Sequence, residues 1–320
     1  MTQKDSKLII VTGGFGFIGS RFVKAVLENT SHNVKVIDKL TYAGKRSRVY
    51  DHIDQKYQVR LEEVNKDINE VVYADIVNAN YIVNFAAESH VDNSIADGKP
   101  FIRSNIEGVF NLLEQARKVT KLEKYIQIST DEVYGDMDDL RGIQHADESF
   151  KLRPSSYYSA SKAAADFLVE SASRTFGIPY IITRSCNNFG PNQDAEKLIP
   201  KIFKSISEGE EVPIYGNGLQ SREWIHVDDN VQIILKLMLT GARDATYNIG
   251  SGIHYKNIEI VNYIGKILGK EVLRKEVADR LGHDKAYRVD ANKIKHFLGT
   301  RTYQSLERYL KDVANEYKRV

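Results

Sequence analysis

The sequence predicts a doubly wound α/β fold, a parallel sheet covered by helices on both faces, with a smaller, mostly C-terminal lobe. Three observations carry this expectation. Continuously apolar, β-rich runs alternate with helical stretches through the first 190 residues, as in strands buried on both faces. The first run opens directly into a glycine-spaced turn and a helix. Beyond about residue 190 the alternation breaks into Gly-, Pro- and polar-rich segments, the composition of loops that carry function.

The strands are "LIIVT" (8–12), "VKVID" (34–38), "YIVNFAA" (81–87), "KYIQIS" (124–129) and "PYIITR" (179–184). Helical spacing of apolar residues marks 19–29, 105–119 and 158–177, the last stopped by Gly177 and Pro179. A helix over 228–241 and the strand in "ATYNIGSG" return to the main sheet, while 258–269 and 305–317 read as helices outside it. The division is therefore a first domain over 1–190 with returns near 226–250, and a lobe built mainly from 191–320.

The 320 residues carry 45 basic and 43 acidic side chains, so no global field draws the chain to nucleic acid. The run "YAGKRSR" (42–48) reads as a solvated loop. A single cysteine, Cys186, leaves no internal disulfide and fits a reducing compartment. The polar start "MTQKDSK" shows no leader pattern, and no apolar run approaches the ~20 residues that cross a bilayer. Eight scattered histidines give no metal-ligand spacing. A cytoplasmic protein without metal or membrane partner is expected.

"VTGGFGFIGS" sets Gly13, Gly16 and Gly19 between the first strand and its helix. Glycines there allow a tight turn and let the backbone approach a pyrophosphate at the positive helix end. The second strand ends at Asp38, 19 residues beyond Gly19, where an acid binds an adenosine ribose and repels a 2′-phosphate. The expected cofactor is NAD. Asp67 and Ile68, after a third strand, stand where adenine would lie.

Tyr158 and Lys162 in "YYSASKAAAD" are i and i+4, on one helix face. A tyrosine serving as base near neutrality needs a shift of about 3 units from its reference value near 10. A neighbouring ammonium and a cationic nicotinamide ring supply much of that. "STDEVYG" places Thr130, Asp131 and Glu132 beyond the fourth of the five runs. In isolation such acids are a wet turn; beside an oxidising Tyr/Lys pair they fit one acid and one base of an elimination.

With these motifs the chain resembles the extended short-chain dehydrogenase/reductases, and within them the dTDP-glucose 4,6-dehydratases. The resemblance runs from about residue 7 to 290 through "VIDKLTYAG", "NFAAESHVDNSI", "STDEVYGD", "RSCNNFGPNQDAEKLIP", "PIYGNGLQSREW" and "DRLGHD". It implies a Rossmann sheet and a redox-neutral dehydration of a nucleotide-linked hexose. Tyr158 would take the C4 hydroxyl proton as NAD takes the C4 hydride. Glu132 would remove the C5 proton, Asp131 protonate the departing C6 oxygen, and Thr130 bond the 4-oxygen. Lys162 would hold the nicotinamide ribose and tune Tyr158.

The resemblance further implies NAD contacts from Phe17, Ile18, Asp38, Lys39, Leu40, Thr41, Asp67, Ile68, Phe85, Ala86, Ala87, Ser104 and Asn188. Sugar-nucleotide contacts would come from Ser89, Asn187, Lys197, Leu198, Pro213, Ile214, Tyr215, Arg222, Asn257, Arg280 and His283. Arg222, Arg280 and Lys197 suit a pyrophosphate, and Tyr215 can stack on a base. The chain departs from the family pattern at Tyr157, Asn93, Ala195, Asn217 and "GSGIHYKN". A homodimer formed through a helical face of the first domain is also implied. The competing readings are a UDP-glucose or other nucleotide-hexose 4,6-dehydratase, a 4-epimerase or decarboxylase, and a non-catalytic NAD-binding regulator. An epimerase needs no acid–base pair for elimination.

Overall fold

In the computed structural model, residues 6–138, 145–241, 243–299 and 302–317 are described, the side chain of residue 316 excepted. The strands are β1 (Leu8–Thr12), β2 (Asn33–Asp38), β3 (Leu61–Asn65), β4 (Tyr81–Asn84), β5 (Lys124–Thr130), β6 (Tyr180–Ser185), β7 (Asn187–Phe189), β8 (Val212–Tyr215), β9 (Ser221–His226), β10 (Ala245–Ile249), β11 (His254–Lys256) and β12 (Arg274–Val277). Seven of them form one sheet in the order β10-β6-β5-β4-β1-β2-β3. Every pairing in it is parallel. The sheet is the predicted doubly wound one, and strand order reverses between β1 and β4, where such sheets open a crevice at their C-terminal ends.

The apolar runs are continuous because both faces are covered. In β1, Ile9 and Val11 pack with Phe22 and Val26 of the helix Phe17–Asn29 and with Val231 and Ile234 of the helix Val227–Thr240. Ile10 points the other way, into Ile82, Leu112 and Val169. Each fully buried residue of this kind contributes about 1.5–3 kcal/mol. The strand over 245–249 does return to the sheet edge, beside β6.

The helix Tyr157–Phe176 starts at Ser156, whose Oγ accepts from Ser159 N at 3.0 Å while Ser159 Oγ accepts from Ser156 N at 3.0 Å. It ends at Gly177, φ 70°, a left-handed residue that favours glycine. This reciprocal cap sets the first turn, and with it Tyr158.

Several boundaries differ from the sequence expectation. Strand β4 stops at Asn84, so 85–87 leave the sheet as loop. The expected helix over 105–119 has a wide π turn over Arg103–Glu107 before regular helix Gly108–Ala116. The loop-like stretch near 210–226 contains β8 and β9. Strand β9 lies between β7 and β11, and β8 pairs with β12. These strands pack with the helices Leu198–Glu208, Asn257–Leu268 and Leu306–Tyr317 around a separate cluster that includes Phe203, Trp224, Ile264 and Leu310. Among the described residues no helix is long and apolar enough to cross a membrane.

Candidate active site

The ends of β1, β2 and β4 frame the first part of the groove. Gly13 has φ +66°, and a Cβ there would stand 2.7 Å from Ala86 N, so this turn is closed to other residues. Asp38 Oδ2 accepts from Phe15 N at 3.0 Å and Oδ1 from Leu40 N at 2.8 Å, tying the end of β2 to the glycine turn. Gly13, Gly16, Asp38, Lys39, Thr41, Asp67, Ile68, Phe85, Ala86, Ala87 and Ser104 line one cleft. Lys39 lies 3.5 Å from Glu88 and 3.9 Å from Asp67 across it. Leu40 lies off this wall: at φ 53° it turns the chain and packs its side chain against the core.

The groove continues past Phe17, Ile18, Gly19, Asn187 and Asn188 to Thr130, Asp131, Glu132, Tyr158 and Lys162. A long cleft whose glycine turn leaves no room for a Cβ, with an acid at its ribose end, fits a dinucleotide. Tyr158 and Lys162 are both buried. Lys162 Nζ donates to Ile128 O at 2.5 Å, pinning the ammonium to the end of β5. Burial lowers Lys162 to about 8, opposed by Asp166. Asp166 in turn accepts from Arg184 Nε at 2.9 Å and Ser129 Oγ at 3.1 Å. Burial pushes Tyr158 well up, with Glu132 adding to the effect.

Residues 131–134 form one 3-10 turn, capped by Thr130, whose Oγ1 accepts from Glu132 N at 3.3 Å. Thr130 Oγ1 also donates to Asp131 Oδ1 at 3.3 Å. Asp131 is 2% exposed and its Oδ2 has no hydrogen-bond partner. Burial, then the charges of Glu132 and Glu223, hold Asp131 well above the usual carboxylate range. Glu132 is raised by burial but faces Arg222, which favours its charged form. The pair is not a wet turn.

Glu132 also borders a second cavity of about 630 Å³. Its walls carry Ser89, Asn187, Lys197, Leu198, Pro213, Tyr215, Arg222, Asn257, Arg280 and His283. Ile214 is the exception, packed into the separate cluster with Phe203 and Trp224. The Arg280 guanidinium stacks 4.5 Å from the Tyr215 ring centre, so these two occupy one another.

The sequence named Arg222 and Arg280 but not the partners that hold them, nor the Asn105 bridge. Arg280 Nη2 donates to Asp92 Oδ2 at 2.9 Å, and its Nε lies 2.7 Å from Oδ1. Arg222 sits 4.4 Å over the Tyr287 ring, whose hydroxyl donates to Asp284 at 2.6 Å. Asn105 Nδ2 donates to Ser161 Oγ at 2.8 Å while its Oδ1 accepts from Glu88 N, fixing the 85–89 loop to the tyrosine helix. No local spacing signals these pairs.

The run 42–48 is not simply solvated. Arg48 is 5% exposed, donating to Ala43 O at 2.5 Å and to Asp194 Oδ1 at 2.6 Å. Tyr42 bonds Glu196 at 3.2 Å, and His52 lies 2.9 Å from Asn192. These contacts clasp the segment after β2 to the 190–197 loop, with Ala43 and Asp194 both on the groove wall.

A family described as the NAD dependent epimerase/dehydratase family matches residues 9–250. The low-salt glycan biosynthesis protein Agl12 of Haloferax volcanii is 43% identical over 288 residues, 90% of this chain and 91% of that protein. The dTDP-glucose 4,6-dehydratase of Shigella flexneri is 38% identical over 335 residues, 97% of this chain and 92% of its own. The crystal structure of DesIV, a dTDP-glucose 4,6-dehydratase of Streptomyces venezuelae with NAD bound, is similar with a TM-score of 0.91 at 37% identity. That match covers 98% of this chain and 97% of DesIV. A parallel sheet of this order, a glycine turn at its switch point and sequence likeness along nearly the whole chain agree: the protein belongs to the NAD-dependent epimerase/dehydratase family.

Proposed function

We propose that the protein converts dTDP-glucose to dTDP-4-keto-6-deoxyglucose in the cytoplasm. The observation that carries this reading is the placement of Asp131 and Glu132 on one turn with Tyr158 and Lys162, in the groove that joins the two cavities. NAD held along the glycine turn by Gly13, Gly16 and Asp38 would supply the hydride acceptor for C4 and the donor for C6. Tyr158 takes the C4 hydroxyl proton, with Lys162 beside it favouring the phenolate. Glu132, facing Arg222, is the charged partner and removes the C5 proton. Asp131, buried and held neutral, protonates the departing C6 oxygen. The cavity beyond Glu132 takes the nucleotide. Arg222, Lys197 and Arg280 bind its pyrophosphate, Arg280 leaving the Tyr215 ring so that the base can stack there.

Incubation with dTDP-glucose or UDP-glucose, following the alkali-sensitive ketone and deuterium exchange at C5, tests the reading. Ketone with dTDP-glucose supports it, and preference for UDP-glucose would reassign the nucleotide. Absence of ketone and of C5 exchange with both sugars would remove the dehydratase assignment.

The protein acts as a homodimer in this proposal. Ile102, Phe110 and Phe167 are exposed on neighbouring helices of one sheet face, an apolar surface suited to a second copy. Light scattering that gives a dimeric mass, reduced to monomer by Phe110→Lys with Phe167→Lys, is the expected result. A monomeric mass for the unaltered protein would sink it.

A further inference from the structure

Proton bookkeeping in the proposed reaction leaves the protein changed after each turnover, and this inference rests on that reading. The C4 hydroxyl proton ends on Tyr158. The C5 proton that Glu132 removes is replaced at C5, and hydride passes from C4 to C6. Asp131 loses its proton to the C6 oxygen, which leaves as water. Tyr158 therefore finishes as a phenol and Asp131 as a carboxylate, the reverse of how they began. One proton must travel from the first to the second before the next cycle.

The Thr130 hydroxyl lies between them. Its Oγ1 donates to Asp131 Oδ1 at 3.3 Å and accepts from Glu132 N at 3.3 Å. Thr130 and Tyr158 line the same groove, where the Thr130 hydroxyl favours the Tyr158 phenolate. A hydroxyl has one proton to give and two lone pairs, so it can serve all three partners at once. Thr130, Asp131 and Tyr158 are all buried, which keeps bulk water away from this transfer.

We propose that Thr130 is a proton relay that resets the site internally. Tyr158 gives its hydroxyl proton to Thr130 Oγ1 as the original Thr130 proton passes to Asp131 Oδ1. One O–H bond forms and one breaks at Thr130, which is unchanged; Tyr158 becomes phenolate and Asp131 becomes acid. No oxidant, reductant or co-reactant is needed. The direction follows from the surroundings. Burial and the Glu132 and Glu223 charges favour neutral Asp131, and the Thr130 hydroxyl favours the Tyr158 phenolate against the burial and the Glu132 charge that oppose it.

The relay separates first turnover from reset, and rapid-quench kinetics on the NAD-loaded enzyme with excess dTDP-glucose reads both. For Thr130→Val, the expected result is a burst of about one 4-keto product per site, then a steady state slowed roughly 100-fold. Thr130→Ser keeps a hydroxyl and should restore the steady state without a burst. Thr130→Ala gives the same comparison without a second branch methyl, should the valine variant fail to fold. A first turnover slowed in parallel with the steady state, with no burst, would mean that Thr130 only orients the 4-oxygen, and the relay is overturned. If the unaltered enzyme forms no ketone from dTDP- or UDP-glucose, the dehydration reading falls and the relay with it.

Discussion

Asp131 and Glu132 are consecutive residues with different surroundings. Asp131 is closed off from solvent with one carboxyl oxygen unpartnered, and the acids Glu132 and Glu223, opposed by Arg222, are its neighbouring charges. Glu132 borders the larger cavity and faces Arg222. On one tight 3-10 turn, Glu132 borders both cavities and Asp131 only the inner groove, the difference of setting that the proposed acid and base require.

The division of roles predicts distinct failures. Glu132→Gln should still pass hydride from C4, seen as transient NADH absorbance, while C5 exchange falls by about 10²–10⁴-fold. Asp131→Asn should keep C5 exchange and lose water elimination by a similar factor of about 10²–10⁴. Normal turnover by either variant would take that residue out of its role.

Asp131 also makes pH a probe. Its folded-state value is raised above the unfolded one, so its contribution to stability is complete at low pH and is lost as pH rises through the folded value. Asp131→Asn should therefore raise Tm more at pH 8 than at pH 5. Turnover of the unaltered enzyme should also fall on the alkaline side as the acid loses its proton. A Tm difference independent of pH, measured by calorimetry, would contradict the buried neutral acid.

Gly13→Ala tests the cofactor turn. The left-handed φ and the contact with Ala86 N make any Cβ costly there, by about 1–3 kcal/mol in backbone strain alone. The expected variant has a lower Tm and purifies with little NAD, measured by absorbance after acid release. Full NAD content would show that the turn does not bear on the cofactor.

Arg48→Met opens the clasp between the segment after β2 and the 190–197 loop. Removing one partner of the buried Arg48–Asp194 pair should cost about 3 kcal/mol of stability. NAD should dissociate about ten-fold faster, a weakening of about 1.4 kcal/mol if association is unchanged. Unchanged NAD release, timed by displacement with a fluorescent analogue, would confine the clasp to folding.

What the sequence by itself determined was local. Apolar runs with both faces hydrophobic specified the parallel strands. The glycine spacing specified the turn after β1, and the four-residue spacing of Tyr158 and Lys162 placed them on one helix face. The acids after β5 were visible as a pair, but their opposite settings were not. Glu223, which adds to the charge around Asp131, lies on a strand that reads as loop. Arg48 meets Asp194 across 146 residues and Arg280 meets Asp92 across 188, so the clasp on the groove wall and the wall of the larger cavity depend on how distant segments close together. Periodicity encodes which face of an element is buried. Only tertiary packing decides which charges share that burial, and hence which carboxyl keeps its proton.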